Sequence, residues 1–112
     1  MSWYTVSLLF RANCSSQSNS PTLWEERLIL IEAPSPEDAE REGTIIGRRG
    51  DHEYEVRSRS TGEAKEKLRW TFDRIERVFL VEDDRIGHGT ELFSRYLRDS
   101  EIQSLLTPFD DE

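Results

Sequence analysis

A chain of 112 residues has the length of a single domain, and its 35% hydrophobic residues, with five Phe, three Trp and three Tyr among the large ones, suffice for one modest core and not for two. The formal net charge of -8 sets the molecule as a whole against phosphate backbones and anionic lipid, so neither nucleic acid nor a membrane is an expected partner. A single cysteine, Cys14, rules out an intramolecular disulfide, and no apolar run is long enough to span a bilayer, so the expected compartment is the cytoplasm.

Trp3 to Phe10 alternates, with Tyr4, Val6, Leu8 and Phe10 on one face and Trp3, Thr5, Ser7 and Leu9 on the other, which predicts a first strand. Residues 13–22 are polar and aperiodic and predict a hairpin loop that contains Cys14. Residues 23–31 predict a second strand. There Trp24, Leu28 and Leu30 share one face with Glu26 and are expected to point at the core, while Glu25 and Arg27 share the other with Ile29 and Ile31.

Ser35 as N-cap, Pro36 at the first helical position, and Glu37 and Asp38 in the first turn predict a helix that Gly47 or Gly50 ends. Its buried stripe, Ala39, Gly43 and Ile46, is narrow and small-sided, as for a helix lying close to a sheet. Tyr54 and Val56 alternate with charges in a strand suited to a sheet edge, and residues 60–64 predict a turn. Leu68, Trp70 and Phe72, then Ile75, Val78 and Leu80, form an apolar rhythm that changes phase around 73–77, so a bulge or bend divides two strands or one long bent one. Thr90 is expected to cap a short helix carrying Leu92, Phe93, Tyr96 and Leu97, and Ser100 with Gln103 predicts a last helix ahead of Pro108.

No complete catalytic motif is present. His52 and His88 lie far apart with Cys14 in another segment, so no metal site is expected, and no cofactor-binding motif occurs. The segment Gly87 to Thr90 offers an anion a helix N-terminus, but the plainer reading is a tight turn. Lys65, Lys67 and Arg69 beside Trp70 suggest a nucleic-acid stripe, yet the same alternation is that of an amphipathic strand.

The opening Trp3-Tyr4 strand, the passage from Glu25 to Ala39, the aromatic pair Trp70 and Phe72, and the late motif Gly89, Thr90, Glu91, Ser94 and Arg95 together resemble the DUF4288 family of short bacterial proteins. The chain departs from that family's pattern at residues 43–50, where alanine and lysine are more usual. The resemblance implies no activity. It implies an α+β fold in a bacterial protein and draws attention to Glu26, Arg27, Glu91 and Arg95, charges the core does not need.

These elements predict one α+β domain over residues 1–107 with an acidic tail at 108–112, built as an antiparallel sheet of four to five strands with two or three helices mainly on one face. Glu26, Arg27, Glu91 and Arg95 are expected to form one polar binding site, because a carboxylate on a core-facing stripe needs a cation or N–H donors and Arg95 is the natural one. The expected role is a small binding or accessory protein that acts on another protein or as a homodimer. The alternatives are a small enzyme with a carboxylate and arginine site, and, more weakly, a nucleic-acid accessory factor.

Overall fold

The alternating opening residues form the central strand of a sheet, β1 (Ser2–Cys14), which runs past Phe10 so that Cys14 is its last residue and not part of a loop. The computed structural model describes residues 1–14, 23–57 and 65–107, with the backbone path alone for Cys14, 52–57 and 65–68. Most of the expected hairpin loop, the expected turn at 60–64 and the acidic tail lie outside the described residues. The remaining elements are β2 (Trp24–Ala33), α1 (Pro36–Arg49), β3 (His52–Arg57), β4 (Lys65–Val81) and α2 (Asp99–Leu106).

All pairings are antiparallel and the order is β2-β1-β4-β3. The body of the sheet has three strands, not the expected four to five, and β3 is a short charged segment along the outer edge of β4. The additional strand is lost because the two apolar runs on either side of Asp73 are one continuous strand. Register shifts opposite Ser7/Leu8 and Leu9/Phe10 leave Glu76 and Asp73 without a partner in β1, and these irregularities absorb the phase change without ending the strand. At about 3.3 Å per residue, the 17 residues of β4 account for the long dimension of the molecule, 53 Å.

One face of this sheet carries the core. Tyr4, Val6, Leu8, Phe10 and Ala12 of β1 pack with Ile31, Ala33 and Trp70, and Ile29, Phe72, Ile75 and Val78 close the periphery. Helix α1 covers that face. Ser35 sits in extended conformation, its hydroxyl accepting from the Asp38 N–H at 3.1 Å and donating to the Asp38 carboxylate at 2.9 Å, with Pro36 in the first turn. A serine cap contributes about 1 kcal/mol. The Ser35 hydroxyl first, and then the Arg41 guanidinium, hold the Asp38 carboxyl below its ordinary value. A carboxyl with a lowered folded-state pKa stabilises the fold above the ordinary carboxylate range, and that support is lost as pH falls through the lowered value.

The buried stripe of α1 is Ala39, Gly43 and Gly47, whereas Ile46 is exposed, which corrects the expected third position by one residue. The choice is steric. A Cβ on Gly43 would stand 2.8 Å from Val6 Cγ1, and one on Gly47 2.5 Å from the Phe72 ring, so the helix backbone itself lies against the sheet.

The largest correction concerns β2. Pairing of Ile31 with Tyr4 and of Ile29 with Val6 puts Ile29, Ile31 and Ala33 on the core face together with Glu25 and Arg27, so Trp24, Glu26, Leu28 and Leu30 point away from α1. The guanidinium of Arg27 lies 4.1 Å from the centre of the Phe10 ring and covers it. The helix expected from Thr90 is also absent, since residues 90–98 adopt no regular structure. Helix α2 starts one residue ahead of Ser100, with the Arg98 N–H donating to Glu101 Oε1 at 2.9 Å in place of the expected Ser100–Gln103 pairing. Among the described residues it packs against no other helix or strand, so of the two described helices only α1 lies on the sheet.

Candidate functional site

The face of the sheet opposite α1 is crossed by the segment that follows β4. A turn opens the crossing: the Thr90 N–H donates to the Gly87 carbonyl at 3.1 Å, the Gly87 N–H donates to the Thr90 hydroxyl at 2.9 Å, and Gly89 has a φ of +83°. That positive φ at the third turn position is one that glycine adopts without strain. Thr90 thus closes a turn and caps no helix, so the anion reading of Gly87 to Thr90 loses the helix dipole on which it depended.

The segment is then pinned at two points. The Thr5 hydroxyl donates to the Leu92 carbonyl, and the Phe93 ring packs on Phe79 of β4 at 5.5 Å between centroids. Beneath it, Thr5 is 2% exposed and Ser7 0% exposed, a polar pair on the central strand. Each has a partner, as buried hydroxyls require.

Glu26 and Arg95 meet beside Ser7. The Ser7 hydroxyl donates to Glu26 Oε2 at 2.9 Å, and Arg95 Nη1 lies 3.8 Å from the same oxygen. With side chains 32% and 35% exposed, this pair is of the weakly stabilising surface kind. Arg77 stands directly opposite Ser7 in β4. Its guanidinium stacks on Phe93 at 5.5 Å, and that of Arg95 lies 5.8 Å from the same ring. Arg77, Ser94, Arg95 and Tyr96 line a shallow cavity of about 430 Å³. Among the described residues Arg77 has no carboxylate within ion-pairing distance.

The four expected site residues therefore divide. Glu26 and Arg95 come together. Arg27 points to the α1 face, where its Nε donates to Glu25 at 2.6 Å, and Glu91 is exposed with no ion pair or hydrogen bond among the described residues. Arg77, Phe93 and Ser7 complete the cluster and were not foreseen. The one sequence signal for Arg77 was the phase change near it, which turns the residue to the face of Ser7. Among the described residues no three His, Cys, Asp or Glu side chains are grouped to hold a metal ion, and no helix is long and apolar enough to cross a membrane.

A family model described as a domain of unknown function (DUF4288) matches residues 3–94. The match takes in the whole sheet, α1 and the crossing segment as far as Ser94. No curated protein and no solved structure matches the chain.

Proposed function

We propose that this chain, which belongs to the DUF4288 family, is a small cytoplasmic bacterial accessory protein that binds another protein through the face of the sheet opposite α1. The observation that carries this reading is the convergence of Arg77 and Arg95 on one phenyl ring at the mouth of an open cavity, where among the described residues Glu26, 3.8 Å from Arg95, is the one carboxylate that ion-pairs with either. Two guanidiniums that are pre-oriented on an aromatic ring and incompletely neutralised suit a carboxylate-bearing partner segment. The partner's acidic side chains would displace water from the cavity and take up the free N–H donors.

Binding is favoured over catalysis for a steric reason. Ser7 and Glu26 have the composition of a nucleophile and base, but Ser7 is fully buried under the crossing segment, and its hydroxyl is committed to the carboxylate. The lone Cys14 fits a reducing compartment.

Affinity capture from the source cells, with the full chain as bait and Arg77→Gln and Arg95→Gln baits in parallel, tests the reading. A protein held by the wild type and lost from both variants, with far-UV circular dichroism unchanged, is the expected result. Identical capture by all three baits, or none by any, contradicts it.

A further inference from the structure

We propose that the edge strand β2 receives an extended segment of another protein in which lysine or arginine alternates with apolar residues, added as a further strand beside residues 28–33. β2 ends its side of the sheet, and it pairs with β1 without a shift from Ser2 opposite Ala33 to Arg11 opposite Trp24. Among the described helices and strands only β1 and α1 touch it, and no described hydrogen bond reaches its outer edge. Natural sheets guard an edge with charge, proline or a bulge. The sequence of β3, at the opposite edge, has the charges Glu53, Glu55 and Arg57. β2 runs through four apolar residues from Leu28 to Ile31 with none of these devices.

A cleft adjoins this edge. Leu30 and Ala33 of β2 with Asp38, Glu42 and Ile46 of α1 line a space of about 470 Å³ where the strand ends, and Ile46 is 41% exposed in it. The charges select the occupant. Asp38 is satisfied by the Ser35 hydroxyl and by Arg41 at 2.5 Å, which is the one basic side chain in the lining. Glu42 on the helix and Glu32 on the strand, which also line the cleft, have no ion pair or hydrogen bond among the described residues. The stem of an incoming lysine or arginine would lie along Ile46 with its cation at Glu42. Alternate side chains of the added strand would fall on the other face, beside Leu28 and Leu30, exposed by 50% and 38%. Glu32 follows Leu30 on that face, so both sides of the edge finish in a free carboxylate. Backbone pairing then gives affinity and the alternation gives selectivity. A second copy answers these features less well. Two β2 strands paired antiparallel about Ile29 would set Glu26 opposite Glu32 at both ends, a like-charge contact.

This edge is distinct from the Arg77 and Arg95 cavity, which suits acids and not bases, so either reading can fail without the other. The probe is a blocked peptide of alternating lysine and valine, titrated at low salt into the full, isotope-labelled chain and followed by NMR. The backbone signals of residues 28–33 are expected to shift and their amide exchange to slow. Glu42→Gln should weaken binding about fivefold, the upper range for an exposed ion pair, with the melting temperature unchanged. An added strand pairs through one of its edges only, so of two peptides N-methylated at every lysine or at every valine, one should bind and the other should not. The proposal is overturned by equal affinity of those two peptides, by equal affinity of an alternating glutamate and valine peptide, or by full affinity in Glu42→Gln. Absence of any shift at residues 28–33 overturns it too. So does a peptide-free chain that sediments as a dimer with those amides already protected, because a second copy would then hold the edge.

Discussion

Phe10→Ala is expected to lower the free energy of unfolding by about 3–5 kcal/mol, the range for removing a buried aromatic ring. Phe10 is 1% exposed and three elements converge on it. Its ring meets Phe72 of β4 edge-on at 5.7 Å and 67°, lies under the Arg27 guanidinium of β2, and fills the space below Gly50, where a Cβ would come 3.0 Å from its Cζ. Alanine would leave Phe72 and Arg27 facing a cavity that the stiff central strand cannot collapse, because β1 is hydrogen-bonded on both sides. A single domain has only roughly 5–15 kcal/mol of stability in all, so the variant should melt some 12 °C or more below the wild type at roughly 4 °C per kcal/mol. Calorimetry decides it, and a shift of a degree or two would mean that the packing of Phe10 is looser than described.

Gly47→Leu should cost about 3 kcal/mol, and Gly47→Ala clearly less, roughly 1 kcal/mol net. Two effects oppose each other at this position. Any side chain improves on glycine's helix propensity by up to about 1 kcal/mol. Against that, the new Cβ would stand 2.5 to 3.0 Å from three atoms of the Phe72 ring, and the ring is held by Phe10. Alanine can be taken up by a small tilt of the ring, with part of the loss recovered from propensity. Leucine must lift α1 off the sheet, which also opens the contact of Gly43 with Val6. Urea titrations of both variants give the comparison, and a Gly47→Leu protein as stable as the wild type would show that the close approach of helix and sheet is wrong.

The elements governed by local chemistry were readable in advance. The alternation from Trp3 to Phe10 specified the first strand and which residues share each of its faces, though not its central place in the sheet, and Ser35 with Pro36 placed the start of α1 to the residue. The facing of β2 was not readable, since Trp24, Leu28 and Leu30 outweigh Ile29, Ile31 and Ala33 in apolar bulk. Its direction is decided by register against β1 and by Arg27 covering Phe10, both long-range facts. Leu92, Phe93, Tyr96 and Leu97 have helical spacing, yet the Thr5 hydroxyl and the Phe79 ring hold the segment across the sheet, and tertiary contacts override a short periodic signal. In the site, Glu26 and Arg95 could be linked because a carboxylate among apolar neighbours calls for a cation. Arg77 and Phe93 could not, because the bulges that bring Arg77 opposite Ser7 are visible only once the strands are paired.

If the proposed function holds, Arg95 is presented to a partner and does not latch the crossing segment to the sheet. A double-mutant cycle on stability, with Glu26→Gln, Arg95→Gln and the pair together, measures this directly. Glutamine at position 26 keeps an acceptor for the Ser7 hydroxyl, so the cycle isolates the charge interaction. At 3.8 Å and about one-third exposure, the coupling should be below about 1 kcal/mol and each single variant nearly as stable as the wild type. A coupling of about 3 kcal/mol, as when a buried ion pair is broken, would make the pair a structural latch and contradict the account.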